Sequence, residues 1–323
     1  EEKMNIGNFY EQCVQVRFES GLPGFQKVDR KLSDAGADAL GMDKDMTQGM
    51  VNLVEPGVTA RLRAIQARAR GYIKSQCWVW SDSKISDRGY KESGVQYVIM
   101  RSKLPKFEEK MKFLRKEFEQ ACESELLSQW PRIRAEGAIK LAGRHQKHYN
   151  QSTKDIRDQC RWECEIVALP YMEQGHDMVD EAVQNLMRDQ KQRVTNVLNS
   201  VAERMQGEVT DIIQRMDDYQ FTPGDNRTGN TLPKEKGIKR LGRMADDAVH
   251  LCDTLQNEGL KDGAEKIHKL IDHMKELGDG DLRDARSALS GEDDSKREEV
   301  KKQLNEIKDS VDTGVEALDR FMS

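Results

Sequence analysis

Residues 177–219 read DMVDEAVQNLMRDQKQRVTNVLNSVAERMQGEVTDIIQRMDDY, with no proline and with Gly207 as the single glycine. Apolar positions recur at eleven-residue intervals. Val183, Val194, Met205 and Met216 make one series, and Met187, Leu198 and Val209 a second. Val179, Val201 and Ile212 make a third, in which Gln190 fills the missing place. Eleven residues over three turns is about 3.67 per turn, close to a straight α-helix and unlike the 3.5 of a left-handed supercoil. The stretch therefore predicts a nearly straight helix of about 60 Å, at 1.5 Å per residue, with one continuous apolar seam. A seam of that length loses about 25 cal/mol for every Å² left in water. Other helices of the same chain are the expected cover, and a second subunit is the alternative.

On the C-terminal side, residues 220–233 (QFTPGDNRTGNTLP) carry the Gly, Pro and Asn of a linker. Residues 234–323 form an acidic helical region, broken at Gly278-Asp279-Gly280 and Ser290-Gly291-Glu292. Its last helix shows Val300, Leu304, Ile307, Val311, Val315, Leu318 and Met322 at spacings of three and four.

On the N-terminal side, a helical stretch is expected over about Thr153 to Leu169, ending before Pro170. Trp130-Pro131 opens another helix, and Pro105 suits the first turn of a long one running to about Gln129. Its buried stripe is Phe107, Met111, Leu114, Phe118, Ala121, Cys122 and Leu126. Cys77 to Trp80 and Gly94 to Met100 read as two short extended pieces, a hairpin that needs helices beneath it. From Val58, an amphipathic helix places Leu62, Ile65, Ala69 and Ile73 on one face among many arginines. Residues 1–56 are the least regular, with breaks at Gly21-Leu22-Pro23-Gly24 and at several later glycines.

The expected fold class is therefore all-α: an elongated helical bundle with long antiparallel helices and one small β-hairpin insertion. Its parts are an irregular segment 1–56, a basic helical core 57–219, the linker 220–233 and the acidic region 234–323. Composition agrees. Of 323 residues, 34% are charged and 37% hydrophobic, with 6% aromatic, which suits long solvated helices and not a β-sandwich. No apolar run reaches the roughly 18 residues of a membrane span, and Glu1-Glu2-Lys3-Met4-Asn5 lacks the pattern of a secretory signal. The six cysteines are dispersed through helical patterns, so free thiols in a reducing cytoplasm are expected.

The net charge of −5 conceals an asymmetry. Residues 57–148 hold 20 Lys and Arg against 10 Asp and Glu, a net of +10, and the remainder holds 32 against 47, a net of −15. The basic part either neutralises acids within the fold or between subunits, or faces a polyanion. Arg61, Arg68, Arg132, Arg134, Lys140, Arg144 and Lys147 are the candidates for contacting phosphates, with Trp78, Trp80, Tyr90 and Tyr97 near them for stacking on bases.

Catalytic and metal signatures are sparse. His145-x-x-His148 precedes Cys160-x-x-x-Cys164, each pair on one face if the segments are helical, but the spacing matches no familiar zinc site. Asp43-x-Asp45-x-Thr47 fails as a calcium loop, because Gln48 stands at the glycine position and Val54 at the twelfth. The chain has no P-loop, dinucleotide-binding glycine turn, nucleophile elbow or HExxH. Neighbouring carboxylates such as Asp217-Asp218 diverge on a helix. No catalytic residue, metal or cofactor is therefore assigned.

The order of elements over residues 50–216 carries a resemblance. The Arg-rich helix ARLRAIQARARG (60–71) leads into an aromatic stretch and the strand Val95 to Met100, and then into KFEEKMKFLRKEFE (106–119), a helix ending at Trp130. This resembles an uncharacterised family of helical proteins of phages, mobile elements and bacteria, a domain of unknown function. Its genes often lie near MoxR-like AAA+ ATPases and cobaltochelatase-like von Willebrand domain proteins. The resemblance implies a partner ATPase and carries no catalytic residue over. The expected function is that of a non-enzymatic cytoplasmic scaffold or adaptor with a protein partner, an AAA+ ATPase or a second copy of the chain. A nucleic-acid-binding protein using the basic segment 57–148 is the alternative, and a zinc-binding protein the third reading.

Overall fold

A computed structural model describes residues 6–28, 30–40, 50–81, 95–140, 146–169, 181–219, 232–256, 258–291 and 294–322. The described residues are mostly helical, with eleven α-helices. The chain divides into two compact units, one of Glu1–Gln15, Trp78–Asp82 and Ala168–Ser323, the other of Val16–Cys77 and Ser83–Val167.

The first unit is dominated by α7 (Glu181–Asp217), α8 (Glu235–Leu255), α9 (Lys261–Leu277) and α11 (Ser295–Met322). Each packs on two of the others: α7 on α8 and α11, and α9 on α8 and α11. That ring is a four-helix bundle, and the short α10 (Leu282–Leu289) lies against α8, α9 and α11. The eleven-residue pattern is what fills it. Val194, Leu198, Val201, Met205, Val209, Ile212 and Met216 are all buried, and so is Gln190 in the third series. Opposite them lie Leu241, Ala245 and Ala248 of α8, Ile267 and Leu270 of α9, and Val300, Leu304, Ile307 and Val311 of α11. At its 37 residues α7 spans about 55 Å. Gly314 of α11 allows the closest approach. A Cβ there would lie 2.1 Å from the carbonyl oxygen of Gly259, so backbone meets backbone and no side chain fits.

Two polar devices fix the ends of this bundle. Glu208, buried on α7, accepts a 2.6 Å hydrogen bond from Arg240 of α8. Arg297 is buried at the start of α11, donates to the carbonyls of Leu289 and Gly291 at 2.6 and 2.7 Å, and pairs with Asp294. Its guanidinium lies 4.9 Å from the ring centroid of Tyr219, whose hydroxyl donates to the Ser290 carbonyl at 2.6 Å. The turn between α10 and α11 is thereby held on the end of α7, with the buried donors satisfied. The helix α1 (Ile6–Gln12) packs on α7 and α8, where Asn8 donates to the Thr254 carbonyl at 2.8 Å.

The second unit is mixed. Its helices are α2 (Arg30–Leu40), α3 (Pro56–Gln76), α4 (Leu104–Ala121), α5 (Trp130–Lys140) and α6 (Thr153–Gln159). α3 packs on α4, with Leu62, Ile65, Ala69 and Ile73 buried as their spacing predicts. Pro105 lies in the first turn of α4, and Phe107, Met111, Leu114, Phe118, Ala121, Cys122 and Leu126 are buried. The helix expected to run to Gln129 changes pitch: after Ala121 a π-helical segment covers Cys122–Leu127, and α5 begins at Trp130.

The β structure exceeds the single hairpin expected. The strands β5 (Gln96–Met100), β1 (Cys13–Gly21) and β6 (Arg161–Ala168) are neighbours in that order in an antiparallel sheet. Both predicted extended pieces are strands, the first of them being β4 (Trp78–Ser81), which belongs to the first unit and packs on α7. The helix expected over Thr153–Leu169 stops at Gln159, and the remainder is β6. The reason is visible in its residues: Trp162, Cys164 and Ile166 alternate with Arg161, Glu163 and Glu165, a period of two that presents one apolar face. A second sheet pairs β2 (Gln26–Val28) with β3 (Met50–Asn52), antiparallel, with Gln26 opposite Asn52 and Val28 opposite Met50.

Aromatic contacts tie these elements together. Trp162 of β6 lies edge-on to Phe18 of β1 at 5.0 Å and against Phe118 of α4 at 5.2 Å, between ring centroids. Trp130 packs on Phe25 and Tyr149 and donates its indole N–H to the Gln151 carbonyl at 2.9 Å. Tyr149 donates to the Leu53 carbonyl at 2.6 Å. Its ring rests on Gly137 of α5, where a Cβ would stand 2.6 Å from ring carbons, so only glycine permits the contact.

Candidate functional site

Of the basic residues nominated from sequence, Arg61 and Arg68 lie on α3 and Arg132, Arg134 and Lys140 on α5, both helices of the second unit. Burial of Leu62, Ile65 and Ala69 turns Arg61 and Arg68 of α3 outward. Arg61 donates to Glu125 at 2.7 Å and Arg68 to Glu117 at 2.6 Å. A third arginine, Arg157 of α6, donates to both oxygens of Glu123 at 2.9 and 3.1 Å. The acids come from α4 and the π-helical segment. Glu123 and Glu125 are two residues apart, so they point to opposite sides, one toward α6 and one toward α3. The result is a line of inter-helix ion pairs across α3, α4 and α6.

Arg132 and Arg134 are exposed on α5. Arg132 lies 3.7 Å from Glu136 and hydrogen-bonds Gln129 at 3.2 Å. Lys140 ends α5, but its side chain, like those of Arg144 and Lys147, lies outside the described residues. Arg61, Arg68 and Arg132 thus each face a carboxylate. Such exposed pairs contribute about 0–1 kcal/mol each, so their importance is orientation and local neutrality more than stability.

The aromatic residues nominated for base stacking are committed to packing. Trp78 and Trp80 are 2% and 4% exposed. Trp80 stacks on Phe9 at 5.9 Å and meets Tyr10 edge-on at 5.7 Å. Tyr97 is half-buried in β5, and Tyr90 lies outside the described residues. A buried indole offers no free face to a base.

Of the metal-type pattern, His145 lies outside the described residues, and Cys160 and Cys164 do not share a helical face. Cys160 caps α6 and Cys164 lies in β6. Among the described residues, no three His, Cys, Asp or Glu side chains converge as a metal would require.

A feature that sequence inspection missed is an open cleft of about 750 Å³ between α9 and α11, lined by Glu258, Asp262, Lys266, Asp309 and Ser310 among others. Ser310 donates to Asp262 at 2.7 Å and accepts from Lys266, which lies 2.9 Å from Asp262. Lys266 and Ser310 hold the Asp262 carboxyl below the ordinary range. Here the ammonium is a donor and the serine proton is already directed at a carboxylate. The trio is an ion-pair network and not an activated nucleophile. Its signal in the sequence is only Asp262 and Lys266 four apart, facing a serine 44 residues further on.

The fold and these contacts define a mostly helical protein with a four-helix unit and an α+β unit, and among the described residues no helix is long and apolar enough to cross a membrane. No protein-family profile, curated protein or solved structure matches the chain.

Proposed function

We propose that the chain is a non-enzymatic helical scaffold or adaptor that works through protein–protein contacts. The observation that supports this reading is the pairing of Arg61, Arg68 and Arg157 with Glu125, Glu117 and Glu123. A groove built for phosphates presents cations without carboxylate partners, so that each phosphate contact releases counterions. Here Arg61, Arg68 and Arg157 neutralise acids of neighbouring segments. Among the described residues the same unit leaves three large apolar side chains in water, Leu32 of α2 at 46%, Phe113 of α4 at 56% and Ile139 of α5 at 80% exposure. Phe113 has the Lys110 ammonium 4.9 Å from its ring centroid. An exposed aromatic beside a cation is the kind of anchor that protein interfaces use.

The resemblance noted from the sequence makes a MoxR-like AAA+ ATPase the first partner to test, with a second copy of the chain next. The experiment mixes the purified chain with a MoxR-like ATPase of the same genome and measures association by calorimetry and sedimentation. The reading expects a complex that Phe113→Asp weakens by about tenfold or more. If the chain stays monomeric, ignores the ATPase and instead binds nucleic acid with steep salt dependence, the alternative reading replaces this one.

A further inference from the structure

Cys122 and Cys160 stand on two segments of the second unit that are joined on both sides of them. Cys122 opens the π-helical segment and Cys160 caps the C-terminus of α6. One residue beyond Cys122, Glu123 accepts both bonds from Arg157, three residues before Cys160. Four residues before Cys122, Phe118 lies 5.2 Å, ring to ring, from Trp162, two residues beyond Cys160. These contacts run in opposite senses along the two segments and bracket the cysteines. Inside the bracket the two thiols are close enough to shift each other's protonation.

The contact divides their chemistry. The neighbouring thiol raises Cys122 and lowers Cys160; burial and the nearby Glu119 and Glu123 raise Cys122 further. Cys160 is half-buried, whereas Cys122 is 5% exposed. Burial pushes the thiols of Cys164 and Cys252 up to about 11, which leaves them mostly protonated at neutral pH. All six cysteines are free thiols.

We propose that Cys160 and Cys122 form a redox-active dithiol, with Cys160 the attacking thiolate and Cys122 the resolving thiol, which a hydroperoxide converts to an intrachain disulfide. The Cys160 sulfur attacks the distal peroxide oxygen, the O–O bond breaks, and a sulfenic acid and an alkoxide or hydroxide result. The Cys122 sulfur then attacks the Cys160 sulfur. An S–S bond forms, the S–O bond breaks, and the departing hydroxide takes the Cys122 proton and leaves as water. Two electrons pass from the thiols to the peroxide, and a small dithiol reverses the change by exchange. The disulfide fastens the end of α6 to the π-helical segment, beside the Arg157–Glu123 pair.

The test uses the full chain in its native state, treated with hydrogen peroxide, quenched with an alkylating agent and mapped by peptide mass spectrometry. The proposal expects a Cys122–Cys160 linked peptide as the main product, reversed by dithiothreitol. Linkage of Cys160 to Cys164 or to a second chain, or oxidation of Cys160 with Cys122 still a free thiol, overturns it. In Cys122→Ser, Cys160 should persist as a sulfenic acid trapped by dimedone; no gain in trapping over the unmodified chain counts against it. A measurement without substitutions is the alkylation rate by iodoacetamide at pH 8. Cys160 should react about tenfold faster than Cys164, a larger thiolate fraction offset by lower intrinsic nucleophilicity. An equal or slower rate overturns the assignment.

Discussion

The four-helix unit and the α+β unit are built by different rules. In the first, one periodic pattern serves the length of α7, and neighbours with simple three-four spacing cover it. In the second, stability is concentrated in aromatic clusters that join strands and helices far apart in sequence, such as Phe18, Phe118 and Trp162. The helix seam of the first unit distributes burial over many small, equivalent contacts, and its aromatic cluster is confined to Phe9, Tyr10 and Trp80 among the described residues. The second depends on a few large residues, with ion pairs ordering the surface around them.

The sharpest way to break that contrast is Trp162→Ala. Removing a buried indole that touches two aromatic rings should cost about 3–5 kcal/mol, read by denaturant unfolding. A cost under about 1 kcal/mol would show that the cluster is not the centre of its unit. Leu198→Ala, at a fully buried place in the seam of α7, should cost about 2–5 kcal/mol. Hydrogen exchange should show the loss of protection in α7 and in the helices packed on it. If protection falls only within a turn of Leu198, the bundle is not one cooperative unit.

A smaller effect belongs to the start of α6. Ser152 accepts from the Asp155 backbone N–H while Asp155 accepts from the Ser152 N–H, a capping box. Ser152→Ala should cost about 1 kcal/mol. These hydrogen bonds hold the Asp155 carboxyl below its ordinary range. Smaller again is the acid response of the cleft between α9 and α11. Asp262 is depressed in the folded state, so its contribution is complete above its unfolded pKa and is lost as pH falls from about 4 through the folded value. Asp262→Asn should flatten that part of the stability curve; an unchanged slope would mean that Lys266 and Ser310 do not hold the carboxylate in solution.

The contrast also explains what the sequence made legible. A helix declares itself within a few turns, so α3, α4, α7 and α11 and their buried faces could be read directly, down to Gln190 completing the third series of α7. A sheet whose neighbouring strands start at Cys13, Gln96 and Arg161 has no local signature beyond alternation. In β6 that alternation is masked by continuity with α6, and β1 falls within the segment 1–56 that reads as irregular. The basic residues were legible as charges. Their partners were not, because Glu117, Glu123 and Glu125 lie 34 to 64 residues from the arginines they meet. The Cys122–Cys160 contact was hidden for the same reason: one cysteine was placed in a continuous α-helix, and the other in a helix that ends at its predecessor.

The reading proposed above is that Arg61, Arg68 and Arg157 serve internal pairs and that the protein works through protein contacts. It is tested most directly by titrating the purified chain into labelled single- and double-stranded nucleic acid from about 50 to 200 mM salt, a range over which phosphate-driven binding falls by orders of magnitude. The account predicts no saturable binding at physiological ionic strength, and no change when Arg61 and Arg68 are replaced by glutamine. Saturable binding that falls log-linearly with salt, with a slope that Arg61→Gln and Arg68→Gln reduce, would contradict it.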